Sequence, residues 1–175
     1  MKKMKRLVAV LLAGVMVLAM LTACGGAGTS EIGKKFEDEY LKVMNSIRTE
    51  KDLTNDTGMR NKALALLNYI DEDGMIDVDK AAPQPDVEIS KDGKTMTVTT
   101  LQVDVEGAPV DGKYVAKEIT PEVIGEGANV PTNPDPNAVA MMNAVKKIGI
   151  ATKVINGKTY AAMAIELVVP VPAQN

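Results

Sequence analysis

The chain has no histidine, no tryptophan and a single cysteine among its 175 residues. Each absence closes a class of chemistry. Without imidazole there is no histidine-dependent triad and no His-ligated zinc. One thiol cannot form a disulfide within the chain, so stability has to come from packing. Aromatics are restricted to Phe36, Tyr40, Tyr69, Tyr114 and Tyr160, which weakens a carbohydrate-binding reading. Serine occurs only at 30, 46 and 90, never in a nucleophile-elbow pattern. No dense Lys/Arg cluster follows the first six residues, which argues against nucleic-acid binding.

What is present is concentrated at the start. Lys2, Lys3, Lys5 and Arg6 precede an uncharged apolar run, Leu7 to Leu21, shorter than the ~20 residues a membrane span needs. The run ends in Leu21-Thr22-Ala23-Cys24. This arrangement resembles the lipobox of bacterial lipoproteins, which implies cleavage after Ala23 and lipidation of the Cys24 sulfur. The expected organisation is then a signal peptide over 1–23, a Gly-rich tether over 24–29, one domain over 30–170 and a tail over 171–175. Removing the 23-residue leader leaves 152 residues, enough for one core. It also removes four bases and no acid, so the formal charge moves from −3 to −7. The expected location is the extracytoplasmic face of the cell membrane, held by lipid alone because an anionic surface repels an acidic protein. Lipidation would also leave the mature chain without a free thiol nucleophile.

The domain reads as α+β. Ser30 is placed to cap a helix through about Arg48, with Ile32, Phe36, Tyr40, Val43, Met44 and Ile47 as its apolar face and Lys35, Glu37, Asp38 and Lys42 elsewhere. A second helix is expected from Thr57 to Ile70, capped by Asp56 or Thr57, with Met59, Ala63, Leu64, Leu67 and Ile70 inward. An acidic turn, Asp71 to Gly74, follows. Val87 and Ile89, then Met96 and Val98, alternate around the Asp92-Gly93 turn. Leu101, Val103 and Val105 alternate in the opposite phase, which predicts a bulge near Thr99-Thr100. Asp111-Gly112 precedes a strand near Tyr114, and residues 120–135 read as loop. Asp135 and Pro136 open a third helix, lined by Val139, Met142 and Val145 and ended by Gly149. Ile150 to Ile155 and Thr159 to Val169 form a hairpin about Asn156-Gly157, with pairing stopped by Pro170 and Pro172.

Two acidic groups bear on chemistry. Placing Gly74 at the sixth position of a calcium loop puts Tyr69 first and Lys80 twelfth, where carboxylates are required, so Asp71, Asp73, Asp77 and Asp79 read as a solvated turn rather than a metal site. Glu118, Glu122 and Glu126 could in principle supply an acid/base pair. The sequence offers no partner that would set one of them apart as the acid.

Several segments, in order, resemble the CAP superfamily of cysteine-rich secretory, antigen 5 and pathogenesis-related proteins. They are Asn45-Ser46-Ile47-Arg48, Leu53 to Asp56, Gly125 to Val130, and Ile148 to Ala151 with Asn156 to Tyr160. The resemblance implies an α-β-α sandwich and carries over Glu126 alone from the family cavity, whose two histidines have no counterpart here. The competing architecture is a pair of helices packed on a twisted antiparallel sheet. Neither a cofactor nor a metal is expected. The favoured function is a non-catalytic binding or envelope module for an unknown protein or small molecule; the alternative is a carboxylate-dependent hydrolase.

Overall fold

The computed structural model of the chain describes residues 30–50, 52–127 and 134–171. Cys24, the leader, the tether and residues 172–175 lie outside the described residues, as does the side chain of Glu126. Ser30 caps the first helix, α1 (Glu31–Ile47), its hydroxyl accepting the Gly33 N–H at 3.0 Å. Asp56 caps α2 (Thr57–Leu66) in the same way, accepting the Met59 N–H at 2.9 Å. The α form stops at Leu66, and a 3₁₀ turn, Leu67–Tyr69, carries the chain on.

The acidic stretch that follows is more ordered than a solvated turn. It holds a short strand, β1 (Met75–Asp77), and one helical turn, α3 (Val78–Ala81). Asp71 organises the bend, one carboxylate oxygen accepting from the N–H groups of Asp73 and Met75 at 3.1 and 2.8 Å. The other oxygen accepts from Lys113 Nζ at 3.0 Å. These bonds, the one from Met75 foremost, hold the carboxyl below its ordinary pKa.

The remaining strands are β2 (Asp86–Ile89), β3 (Thr95–Val103), β4 (Val105–Val110), β5 (Lys113–Ala116), β6 (Val145–Ile155) and β7 (Lys158–Pro170). They form two antiparallel sheets, ordered β2-β3-β7-β6 and β1-β5-β4, so the fold is α+β. The Asp111-Gly112 and Asn156-Gly157 hairpins use the left-handed pair of conformations expected of two-residue turns, with φ 50 and 78 at the first and 47 and 79 at the second, whereas at Asp92-Gly93 only the glycine is left-handed.

Four expectations need correction. Residues 120–135 are not all loop, because Pro121–Gly127 forms a helix, α4. The third helix, α5 (Pro136–Ala144), ends before Val145, which already begins β6; Gly149 lies inside that strand. Pro170 is the last paired residue of β7, opposite Thr95, rather than a residue beyond it. Finally, β3 pairs with β7 in unbroken register from Thr95 to Val103, without a bulge at Thr99-Thr100. The change of phase has another cause. Leu101 and Val103 lie opposite Ala164 and Ala162 on one sheet face, while Met96 and Val98 lie opposite Val169 and Leu167 on the other. The apolar residues change sides along one regular strand.

Helices cover both faces of the larger sheet. On one, Met59, Ala63, Leu66 and Leu67 of α2 and its extension cluster with Val103, Ala151, Ala162 and Ala164. On the other, Met44 of α1 and Leu53 cluster with Val145, Ile148 and Ile150. Ile148 and Ile150 are fully buried, each contributing about 1.5–3 kcal/mol. Strand β6 is therefore covered on both sides, and two glycines let the helices approach. A Cβ on Gly149 would meet the α2 backbone at Met59 and Arg60, and one on Gly33 of α1 would meet the Thr152 side chain.

Candidate functional site

Helix α1 faces the sheet along a line that hydropathy does not mark. Gly33, Glu37, Met44 and the C-cap Arg48 are buried, whereas Ile32 is exposed and Phe36, Tyr40, Val43 and Ile47 are half-buried. The sequence placed Glu37 on the charged outer face; the structure places it inside. Its burial is tolerated because both carboxylate oxygens accept hydrogen bonds. Its Oε1 accepts from Thr152 N–H at 3.1 Å, Thr152 Oγ1 at 2.9 Å and Arg60 Nη2 at 3.1 Å, and its Oε2 accepts from Asn55 Nδ2 at 3.1 Å. Asn55 also exchanges two hydrogen bonds with the backbone of Ile150, and Asp56 N–H donates to Ile148. This network seals the outer edge of β6. The Glu37–Arg60 pair is joined by further hydrogen bonds to Glu37 from Thr152 and Asn55, the condition under which a buried pair is tolerated.

Arg48 works in the same manner at the other end of α1. Its guanidinium donates to the carbonyls of Met142 and Val145, where α5 ends without a basic residue of its own. A cation on those carbonyls satisfies the helix terminus and opposes its dipole. Asn45 clamps the Leu53 backbone with both amide atoms, at 2.8 and 3.0 Å. These contacts are structural, since each donor and acceptor faces another part of the fold.

The surface feature with binding character lies on the opposite flank of α1. The half-buried Phe36, Tyr40, Val43 and Ile47 form one wall of a groove of about 470 Å³. Ala138, Met141 and Met142 of α5 form the facing wall, and Val123 of α4 closes one side. The size falls within the range of small-molecule sites. Phe36 and Tyr40 meet at a ring separation of 5.7 Å, and Met141 is 63% exposed, leaving an adaptable apolar side chain at the mouth. Among the described residues the charged lining is Asp104 and Lys117, whose side chains pair at 3.9 Å and whose backbones are joined by a Lys117 N–H to Asp104 carbonyl bond. Burial, and secondarily Asp104, push the Tyr40 phenol above its ordinary pKa. The groove can thus hold an apolar body and offer either sign of charge to a polar end.

Of the carboxylates singled out from sequence, Glu118 and Glu122 do not line this groove, and the side chain of Glu126 lies outside the described residues. Glu118 bridges by its backbone to Tyr160, with its side chain 3.8 Å from Lys158 Nζ. Glu122 stands in the first turn of α4, and the Thr120 hydroxyl holds its carboxyl below the usual range. That is the wrong direction for a general acid at neutral pH. Asp71 is engaged as described above, and no group of three or more acidic or thiol side chains among the described residues is arranged to hold a metal. Sequence reasoning missed Asp104 and Lys117, which flank the β4–β5 hairpin of the small sheet and carry no motif. Compared with protein-family models, curated proteins and solved structures, the chain matches none of them.

Proposed function

We infer that this is a lipid-anchored, extracytoplasmic lipoprotein whose folded domain is a non-catalytic binding module. Its ligand is a small amphiphile seated between α1 and α5. The observation that carries the binding reading is the groove itself: an apolar stripe of α1 that a core would bury is left half open, facing two methionines above one ion pair. The lipid anchor rests on the lipobox at Cys24 alone.

The finer description of the architecture is a degenerate CAP-like α-β-α sandwich. Helices on both faces of the larger sheet support it. So does the Asn-x-x-Arg pattern, because Asn45 and Arg48 are the residues that fasten α1 to the Leu53 segment and to the α5–β6 junction.

Methionine-methyl NMR of the full chain in micelles tests the groove, with phenylbutylamine and phenylbutyrate as probes. We expect the methyls of Met44, Met141 and Met142 to shift saturably with at least one probe, and Met141→Asp to abolish the response. Shifts spread over all 11 methionines, or an unchanged response in Met141→Asp, would remove the groove as the site.

A further inference from the structure

The two edges of the larger sheet are treated differently. The β6 edge is sealed by Asn55 and Asp56, which bond to the backbone of Ile148 and Ile150. The β2 edge is not. Asp86 to Ile89 pair with β3 on one side, and among the described residues no strand or loop pairs with the other. All four residues are exposed, including Val87 at 52% and Ile89 at 65%.

The two faces of this edge have different chemistry. Val87 and Ile89 stand opposite Val98 and Met96, which in turn stand opposite Leu167 and Val169. An apolar strip thus crosses three strands and runs out at the open edge. On the reverse face Asp86 and Glu88 stand opposite Thr99 and Thr97, and Thr99 stands opposite Glu166. A strand added here would meet apolar side chains on one face and carboxylates on the other.

We propose that β2 is a docking edge for an extended segment of a partner protein in which Lys or Arg alternates with apolar residues. A second copy of this chain does not fit. Antiparallel self-pairing centred on Val87 sets Asp86 against Glu88, and centring on Glu88 sets that carboxylate against itself. The remaining long register places Val87 opposite Glu88 and Asp86 opposite Ile89, which puts apolar side chains across from acids. Parallel pairing in register aligns the acids again. Like charges directly opposite oppose pairing, whereas opposite charges there favour it. The edge is therefore protected against itself while open to a basic strand.

The test uses the full chain in micelles and a ten-residue Lys-Val alternating peptide, its Glu-Val counterpart, and a Lys-Val peptide of the same composition in two blocks. We expect the alternating Lys-Val peptide to slow amide exchange at residues 86–89 and to bind about tenfold tighter than Glu-Val, the yield of two cross-strand charge pairs. The double variant Asp86→Lys/Glu88→Lys changes only exposed side chains and should invert that preference. Equal binding of the block peptide would overturn the proposal, because it would reduce the effect to net charge. So would protection outside 86–89, an unaltered preference in the double variant, or a dimer held through β2. Met141→Asp is expected to leave peptide binding unchanged, so failure of the groove reading and failure of this one are separately visible.

Discussion

At the scale of single residues, the fold depends on a few polar side chains whose bonding capacity is fully used. Glu37 is the strongest case. Replacing it with Ala would leave the Thr152 N–H, the Thr152 hydroxyl and the Arg60 guanidinium without this acceptor in a largely buried site. Breaking a buried pair from one side costs about 3–5 kcal/mol, and we expect Glu37→Ala to lose that much unfolding free energy, read from the fall in its denaturant midpoint at unchanged slope. Glu37→Gln retains one acceptor oxygen and should lose less. If the two variants match each other and the parent, the network is ornamental. Hydropathy could not have located Glu37, because its neighbours Phe36 and Tyr40 draw the apparent apolar face toward themselves. Only the juxtaposition of Gly33 with Glu37, four residues apart, hints that α1 meets the sheet along a small and polar line.

At the scale of elements, the register of β6 between two helices is the controlling feature. Gly149→Ala would drive a methyl group into the α2 backbone, which cannot move as a side chain end can. Overpacking of this kind costs about 1–3 kcal/mol, and the rigid neighbour puts the expected loss at the upper end; thermal unfolding provides the check. A melting temperature unchanged from the parent would mean that α2 sits farther from β6 than described. The caps, the Asp-Gly and Asn-Gly turns and the order of the main elements were legible in the sequence, since each depends on local chemistry. What was not legible depends on contact. The phase change in β3 looked like a bulge because alternation reports which face is apolar, not why. Gly149 looked like a helix end because a glycine kept for close approach and one kept for a cap look alike. The open groove was hidden for a related reason: Phe36, Tyr40, Val43 and Ile47 have core-like spacing, and only α5 and the small sheet determine that they remain partly uncovered.

At the scale of the whole molecule, acid and alkali should act through different groups. Asp71, Asp92 and Glu122 all have carboxyls held below their ordinary values by hydrogen bonds. The folded state then binds fewer protons than the unfolded one, so their stabilisation is complete above about pH 4 and falls away as pH drops through the depressed values. Tyr40 and Tyr160 are shifted upward, chiefly by burial. Their contribution is complete below about pH 10 and is lost as pH rises through the raised values. Urea unfolding from pH 7 to 11.5 should therefore show a decline above pH 10 that is shallower in Tyr40→Phe. An identical decline would remove Tyr40 from the account. The anchor is checked at this scale too: in a bacterial host supplied with labelled fatty acid, we expect label on the parent chain and none on Cys24→Ser, whose leader should remain attached. Label on both would place the lipid elsewhere.

The bond between Ser30 Oγ and Thr159 Oγ1, at 3.0 Å, has a consequence for bearing and height. It moors the beginning of α1 beside the Asn156-Gly157 turn. If Cys24 carries the lipid proposed above, the six residues from it to that mooring reach at most about 20 Å, which would keep the turn near the bilayer. From there β7 climbs from Thr159 to Pro170, roughly 35 Å at a strand's rise per residue, ending where Thr95 begins the strand that borders β2. With lipid on Cys24 as proposed, a single hydroxyl pair would thus act as a compass, setting the unpaired edge at the end of the sheet away from the anchor.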